Sequence, residues 1–93
     1  MFTKNMTQVK FFGALRKKAG APSMQFDGVT VAAVLEAACL DNLLLKQALF
    51  DGAQLHPHVR VMVNGLGVDA LQGLDTPVGE RDTLAIFPPL SGG

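Results

Sequence analysis

In Thr7-Gln8-Val9-Lys10-Phe11-Phe12 strand formers are concentrated, and a two-residue period puts Val9 and Phe11 on one face and Lys10 and Phe12 on the other. This predicts a first strand. A polar stretch, Arg16-Lys17-Lys18-Ala19-Gly20-Ala21-Pro22, separates it from a short run, Ser23-Met24-Gln25-Phe26-Asp27, so the two strands are expected to form a hairpin with a long connection. Thr30 is a suitable cap for a helix whose apolar residues Val31, Val34, Leu35 and Ala38 recur at i, i+3, i+4 and i+7. Asp41-Asn42 interrupts that pattern. Residues 43–50 continue it for another turn or two until Asp51-Gly52 ends it. Val59-Arg60-Val61-Met62-Val63-Asn64 alternates strictly, with the valines on one face, Arg60 and Met62 on the other, and a turn signal at Asn64-Gly65. After a polar connection over residues 75–81, Thr83-Leu84-Ala85-Ile86-Phe87 is a last strand, stopped by Pro88-Pro89.

The order strand, strand, helix, strand, short irregular piece, strand suits two layers, with one main helix covering a mixed sheet. The long segment between the first and last strands is enough for a crossover, so those two can pair centrally and in parallel. This is the order of the β-grasp, or ubiquitin-like, α+β fold. The domain is assigned to residues 7–87, with residues 1–6 as an N-terminal extension in which Met6 is an alternative start, and residues 88–93 as a flexible tail.

With 93 residues, one domain burying roughly 60–65% of its unfolded-state surface is expected. Lys plus Arg balance Asp plus Glu at eight each, so net charge offers no reason to invoke nucleic acid or an anionic membrane. A single cysteine excludes an internal disulfide, and the N-terminus lacks a long apolar run, which points to a reducing cytoplasm.

The segment Phe87-Pro88-Pro89-Leu90-Ser91-Gly92-Gly93 is not explained by folding. A terminal Gly-Gly arises by chance in roughly one chain in 200, but here it follows a strand and a double proline that favours extended backbone. Extended, residues 88–93 reach about 20 Å, enough to carry a carboxylate deep into another protein. Two glycines remove all side-chain bulk beside the terminal carbon, which suits a narrow channel. A carboxylate is a poor acyl donor until one oxygen becomes a leaving group, and adenylation by ATP is the expected route, after which sulfur can displace AMP. This chain carries no phosphate-binding glycine loop ending in Lys-Ser or Lys-Thr, and Gly65-Leu66-Gly67 sits in a turn between strands, so ATP is expected to be handled by a partner.

Three other groups carry a chemical and a plain alternative. Cys39 could hold a persulfide, but a cysteine on an apolar helix is expected to pack as a small hydrophobe. His56-Pro57-His58 supplies two ligands of the four that zinc usually takes, so no metal is expected. Arg16-Lys17-Lys18 is expected to be a solvated turn. Strand alternation, in contrast, puts Lys10 and Phe12, Arg60 and Met62, and Ala85 and Phe87 on the face away from the helix. Phe12, Arg60, Met62 and Phe87 are therefore the candidate partner-binding residues.

The runs Val9-Lys10-Phe11-Phe12-Gly13-Ala14-Leu15-Arg16, Val61-Met62-Val63-Asn64-Gly65 and Phe87-Pro88-Pro89-Leu90-Ser91-Gly92-Gly93 resemble the small subunit of molybdopterin synthase, the match covering Thr7 to Gly93. With the thiamine sulfur carrier and other small ubiquitin-like modifiers, that family implies a C-terminal glycine, here Gly93, that a ubiquitin-activating-enzyme-like adenylyltransferase adenylates and that a sulfur donor then converts to a thiocarboxylate. The resemblance further implies entry of the tail into a molybdopterin synthase large subunit, in a heterotetramer, where the chain is a consumed, non-catalytic sulfur donor. Leu71-Gln72-Gly73-Leu74-Asp75-Thr76-Pro77 is instead similar to carriers that serve cysteine synthesis or protein modification. Carriers for thiamine or thiolated tRNA, and a plain β-grasp binding module, are the remaining alternatives.

Overall fold

The computed structural model describes residues 5–89. In chain order the elements are β1 (Met6–Phe11), α1 (Leu15–Ala19), β2 (Ser23–Asp27), α2 (Val31–Cys39), α3 (Leu43–Leu49), β3 (Phe50–Asp51), β4 (Gln54–Leu55), β5 (Arg60–Val63), β6 (Leu66–Gly67), two 3-10 turns (Val68–Ala70 and Gly73–Asp75) and β7 (Thr83–Phe87). Five strands form one sheet in the order β2-β1-β7-β5-β6, and β3 with β4 makes a separate small hairpin. The first and last strands are the parallel pair at the centre, as the crossover argument requires, with Val9 beside Leu84 and Phe11 beside Ile86. The neighbours β2 and β5 pair antiparallel on either side.

Alternation decides which side chains meet. Val9 and Phe11 of β1, Val61 and Val63 of β5, and Leu84 and Ile86 of β7 all face inward and are buried against Val31, Val34, Leu35 and Ala38 of α2 and Leu45 and Leu49 of α3. The α2 stripe is the one read from the sequence, and its cap is formed: Thr30 Oγ1 accepts the Ala33 N–H at 3.1 Å. Such a cap contributes about 1 kcal/mol. The interruption at Asp41-Asn42 also has a local cause. Asn42 Oδ1 accepts the Leu45 N–H at 3.0 Å and so starts α3, while Asn42 Nδ2 donates to the Lys18 carbonyl at 2.7 Å and ties α3 to α1.

Several elements differ from the sequence expectation. The polar connection between the first two strands contains the helix α1, anchored by buried Leu15 and closed by Gly20 in the left-handed region. The β3–β4 hairpin stands where the sequence indicates only an end to helix. The domain also begins earlier than Thr7. Met6 pairs with Asp27, and Asn5 Nδ2 donates to the carbonyls of Gly28 at 2.6 Å and Val78 at 2.9 Å, so these two residues belong to the fold instead of an extension. The turn at Asn64-Gly65 is as expected, both residues having positive φ (51° and 87°), as the tight hairpin from β5 into β6 requires. Asn64 Oδ1 then accepts the Thr83 N–H at 2.9 Å and fixes where β7 starts.

Candidate functional site at the root of the C-terminal tail

Because β7 is central and buried on its inner side, its outward residues lie in the middle of the free sheet face. The register places Lys10 and Met62 on either side of Ala85, and Arg60 opposite Phe87. One step past β1, the Phe12 N–H donates to the Ile86 carbonyl at 3.1 Å, which brings the Phe12 ring onto Phe87. The rings stack with centroids 4.5 Å apart and planes 12° from parallel. A stacked pair of this kind contributes about 0.5–1.5 kcal/mol beyond its buried area. All four candidate residues, Phe12, Arg60, Met62 and Phe87, are therefore brought onto one face; Phe12, Met62 and Phe87 are half-buried and Arg60 is exposed.

Two contributors were not read from the sequence. Arg16, taken with its lysine neighbours as a solvated turn, places its guanidinium carbon 5.8 Å from the Phe12 ring centroid, and its Nε donates to the Phe11 carbonyl at 3.1 Å. Arg16 thus extends the aromatic stack with a cation, and Lys10, Arg16 and Arg60 surround an apolar centre. The second is Gly13, whose φ is 59° and whose missing side chain admits the Pro88 ring. A Phe-Gly step just after a strand, followed by a basic residue, was the available signal, but spacing alone does not show that a ring from the other end of the chain fills the space.

Pro88 is half-buried and Pro89 exposed. Pro88 also lines a groove of about 690 Å³, together with residues 55–62, Gly67, Val68, Asp69 and Phe87. His56 and His58 lie along this groove, and among the described residues no group of three or more His, Cys, Asp or Glu is placed to hold a metal. The remaining tail residues, Leu90, Ser91, Gly92 and Gly93, lie outside the described residues.

Cys39 is buried at the end of α2, and burial pushes its thiol above the ordinary value of 9.0, with Lys46 partly opposing that shift. A thiol held protonated is a poor nucleophile. Among the described residues no helix is long and apolar enough to cross a membrane.

A mixed sheet closed on one main helix, with first and last strands parallel at its centre, is the β-grasp, and a chain that leaves the last central strand toward a Gly-Gly end is ubiquitin-like in architecture. The ThiS family pattern matches residues 9–93, and the chain belongs to that family of ubiquitin-like sulfur carriers. It is 32% identical over 89 residues to small archaeal modifier protein 3 of Haloferax volcanii, covering 92% of this chain and 97% of that one. Among solved structures, small archaeal modifier protein 1 from Methanosarcina acetivorans superposes with a TM-score of 0.89 at 29% identity, over 99% of this chain and 100% of that one. A chain of the Amycolatopsis orientalis BexX/CysO complex gives a TM-score of 0.82 at 30% identity, over 94% and 99%.

Proposed function

We propose that this chain carries sulfur as a thiocarboxylate at Gly93. The observation that carries the reading is the direct continuation of the central strand β7 into Pro88-Pro89 and, in sequence, Gly92-Gly93, beside an aromatic and cationic face. In the first step a Gly93 carboxylate oxygen attacks the α-phosphorus of ATP, and pyrophosphate leaves. In the second, sulfide released by a donor attacks the acyl carbon as HS⁻, AMP leaves with the oxygen it activated, and loss of the remaining sulfur-bound proton gives the thiocarboxylate. An adenylyltransferase of the ubiquitin-activating type performs the first step, and the Phe12, Met62 and Phe87 face with Lys10, Arg16 and Arg60 is its docking surface. ATP binds that partner, and this chain holds no cofactor of its own. The BexX/CysO complex supports the broader idea, since a similar chain there is found in complex with another protein.

Likeness of the tail to the molybdopterin synthase small subunit supports delivery of the sulfur inside a large catalytic subunit, to a pterin precursor. A second reading has its own support, because two curated relatives are named modifiers. In that reading a lysine amine displaces the leaving group from activated Gly93 and an isopeptide bond results. Isolation from the native host under denaturing conditions, followed by mass analysis of the C-terminal peptide, separates them. Sulfur in place of one oxygen supports the carrier, and a branched lysine peptide supports conjugation. A free carboxylate under every growth condition makes the chain a binding module and sinks both.

A further inference from the structure

The end of β1 and the root of the tail meet at Gly13. A Cβ at this position would stand 2.9 Å from Pro88 Cγ and 3.5 Å from Pro88 Cδ. A proline ring is closed onto its own backbone, so it cannot rotate out of the way as a long side chain does. Either the turn at Gly13 or the chain at Pro88 must move. The turn is held from several sides: Phe12 N–H donates to the Ile86 carbonyl at 3.1 Å, Leu15 N–H to the Phe12 carbonyl at 3.2 Å, and Arg16 N–H to the Gly13 carbonyl at 3.2 Å. The Phe12–Phe87 stack clamps it further. Pro88 has left the sheet ladder, which ends with Phe87 opposite Arg60, so the displacement falls on Pro88.

We propose that Gly13 is a positioning residue that sets the direction in which the tail leaves β7, acting through the Pro88 ring. This inference rests on the reading of Gly93 as the activated end. Its size follows from leverage. When a partner channel holds the five residues after Pro88 extended they span about 17 Å, so a tilt of about 10° at Pro88 displaces the terminal carbon by at most about 3 Å. Displacement of a reacting atom by about 1 Å costs on the order of a hundredfold in rate. With the sheet face docked on a partner and a double proline stiffening the start of the tail, part of that tilt reaches the channel.

The test uses Gly13→Ala, Gly13→Asn and Pro88→Ala, singly and combined, in the full chain. Asparagine tolerates positive φ but still has a Cβ, so it separates contact with Pro88 from backbone strain. The first readout is steady-state adenylation by the host's own ubiquitin-activating-type adenylyltransferase with ATP. We expect kcat to fall at least about tenfold in Gly13→Asn with KM within about twofold, because the docking face is intact. In a Pro88→Ala background, where the ring is gone, Gly13→Asn costs less than about twofold. The second readout is the Cα–Hα residual dipolar coupling of Pro88 in the free chain, expected to change in Gly13→Asn while the couplings of β5 stay as in wild type. Gly13→Asn with wild-type kcat and an unchanged Pro88 coupling overturns the proposal, as does an equal loss in the Pro88→Ala background. If even the wild-type chain is not adenylated, the reading of Gly93 fails, and the Pro88 coupling still decides whether Gly13 aims the tail.

Discussion

The two faces of the central sheet are built from the same strands but differ in composition: the inner one is apolar along β1, β5 and β7, while the outer one is polar at Gln8, Lys10, Arg60 and Thr83 and holds one apolar cluster at Phe12, Met62 and Phe87. On the inner face Leu84, Ile86, Val9 and Phe11 are fully buried beneath α2 and α3. On the outer face Phe87, Phe12 and Met62 keep partial exposure, with the Phe12 and Phe87 rings stacked on each other and Arg16 beside Phe12. Helix packing stabilises the inner set, whereas no element among the described residues is layered over the outer one. An apolar cluster left open where the chain runs on toward Gly92-Gly93, with cations around it, has what the proposed docking surface needs: area to desolvate and charge to orient.

Substitution on the two faces should therefore separate stability from binding. The largest stability loss is expected for Leu84→Ala, which opens a cavity in the inner layer and should cost about 2–5 kcal/mol in urea unfolding. A loss below about 1 kcal/mol would mean that the inner layer is loosely packed. Next comes Phe87→Ala, one step from the inner Ile86. It loses one stacking partner, so stability should fall by about 1 kcal/mol while affinity for the adenylating partner falls by more than about 2 kcal/mol, measured by calorimetry. Equal losses in the two measurements would make Phe87 a core residue and erase the contrast between faces.

A smaller effect comes from pH. Burial raises the Cys39 thiol above 9.0 in the folded chain, so at pH above 9.0 the unfolded chain releases that proton first and the folded state loses stability as pH rises. Relative to Cys39→Ala, wild type should weaken with each step above 9.0, by at most about 1.4 kcal/mol per pH unit, and the difference should be flat below it. A difference that grows toward acid would contradict the buried thiol. The least change in stability, under about 0.5 kcal/mol, is expected for Gly92→Val, beyond the last strand. The same variant should block activation or sulfur delivery, because a branched side chain clashes in a channel shaped for bare backbone. Wild-type single-turnover rates in both steps would mean that no narrow channel reads the tail.

Periodicity carried most of the sheet and the helix α2, since Val59, Val61 and Val63, and Val31, Val34 and Leu35, show which face is buried without any knowledge of the partner element. It also placed Phe12, Arg60, Met62 and Phe87 on a common face. What escaped was decided by single contacts over long sequence separation. Helix α1 is too short to show a period and depends on Leu15 reaching the core and on Asn42 bonding to the Lys18 carbonyl. Asn5 looked dispensable because its partners, Gly28 and Val78, are distant in sequence. Arg16 and Gly13 were hidden for the same reason, one seen as a charge in a basic run and the other given no role of its own. Their roles become visible when Phe87 and Pro88 arrive beside them.

Gly93, and no other group, is the proposed acceptor of the sulfur. Its most direct test mixes the purified chain with the host's ubiquitin-activating-type adenylyltransferase, ATP and a sulfide donor, and follows intact mass and then the masses of proteolytic peptides. Replacement of one oxygen by sulfur is expected, dependent on ATP and confined to the peptide ending in Gly92-Gly93, with Cys39 unmodified. Sulfur found on Cys39 with the C-terminal carboxylate unchanged would contradict it.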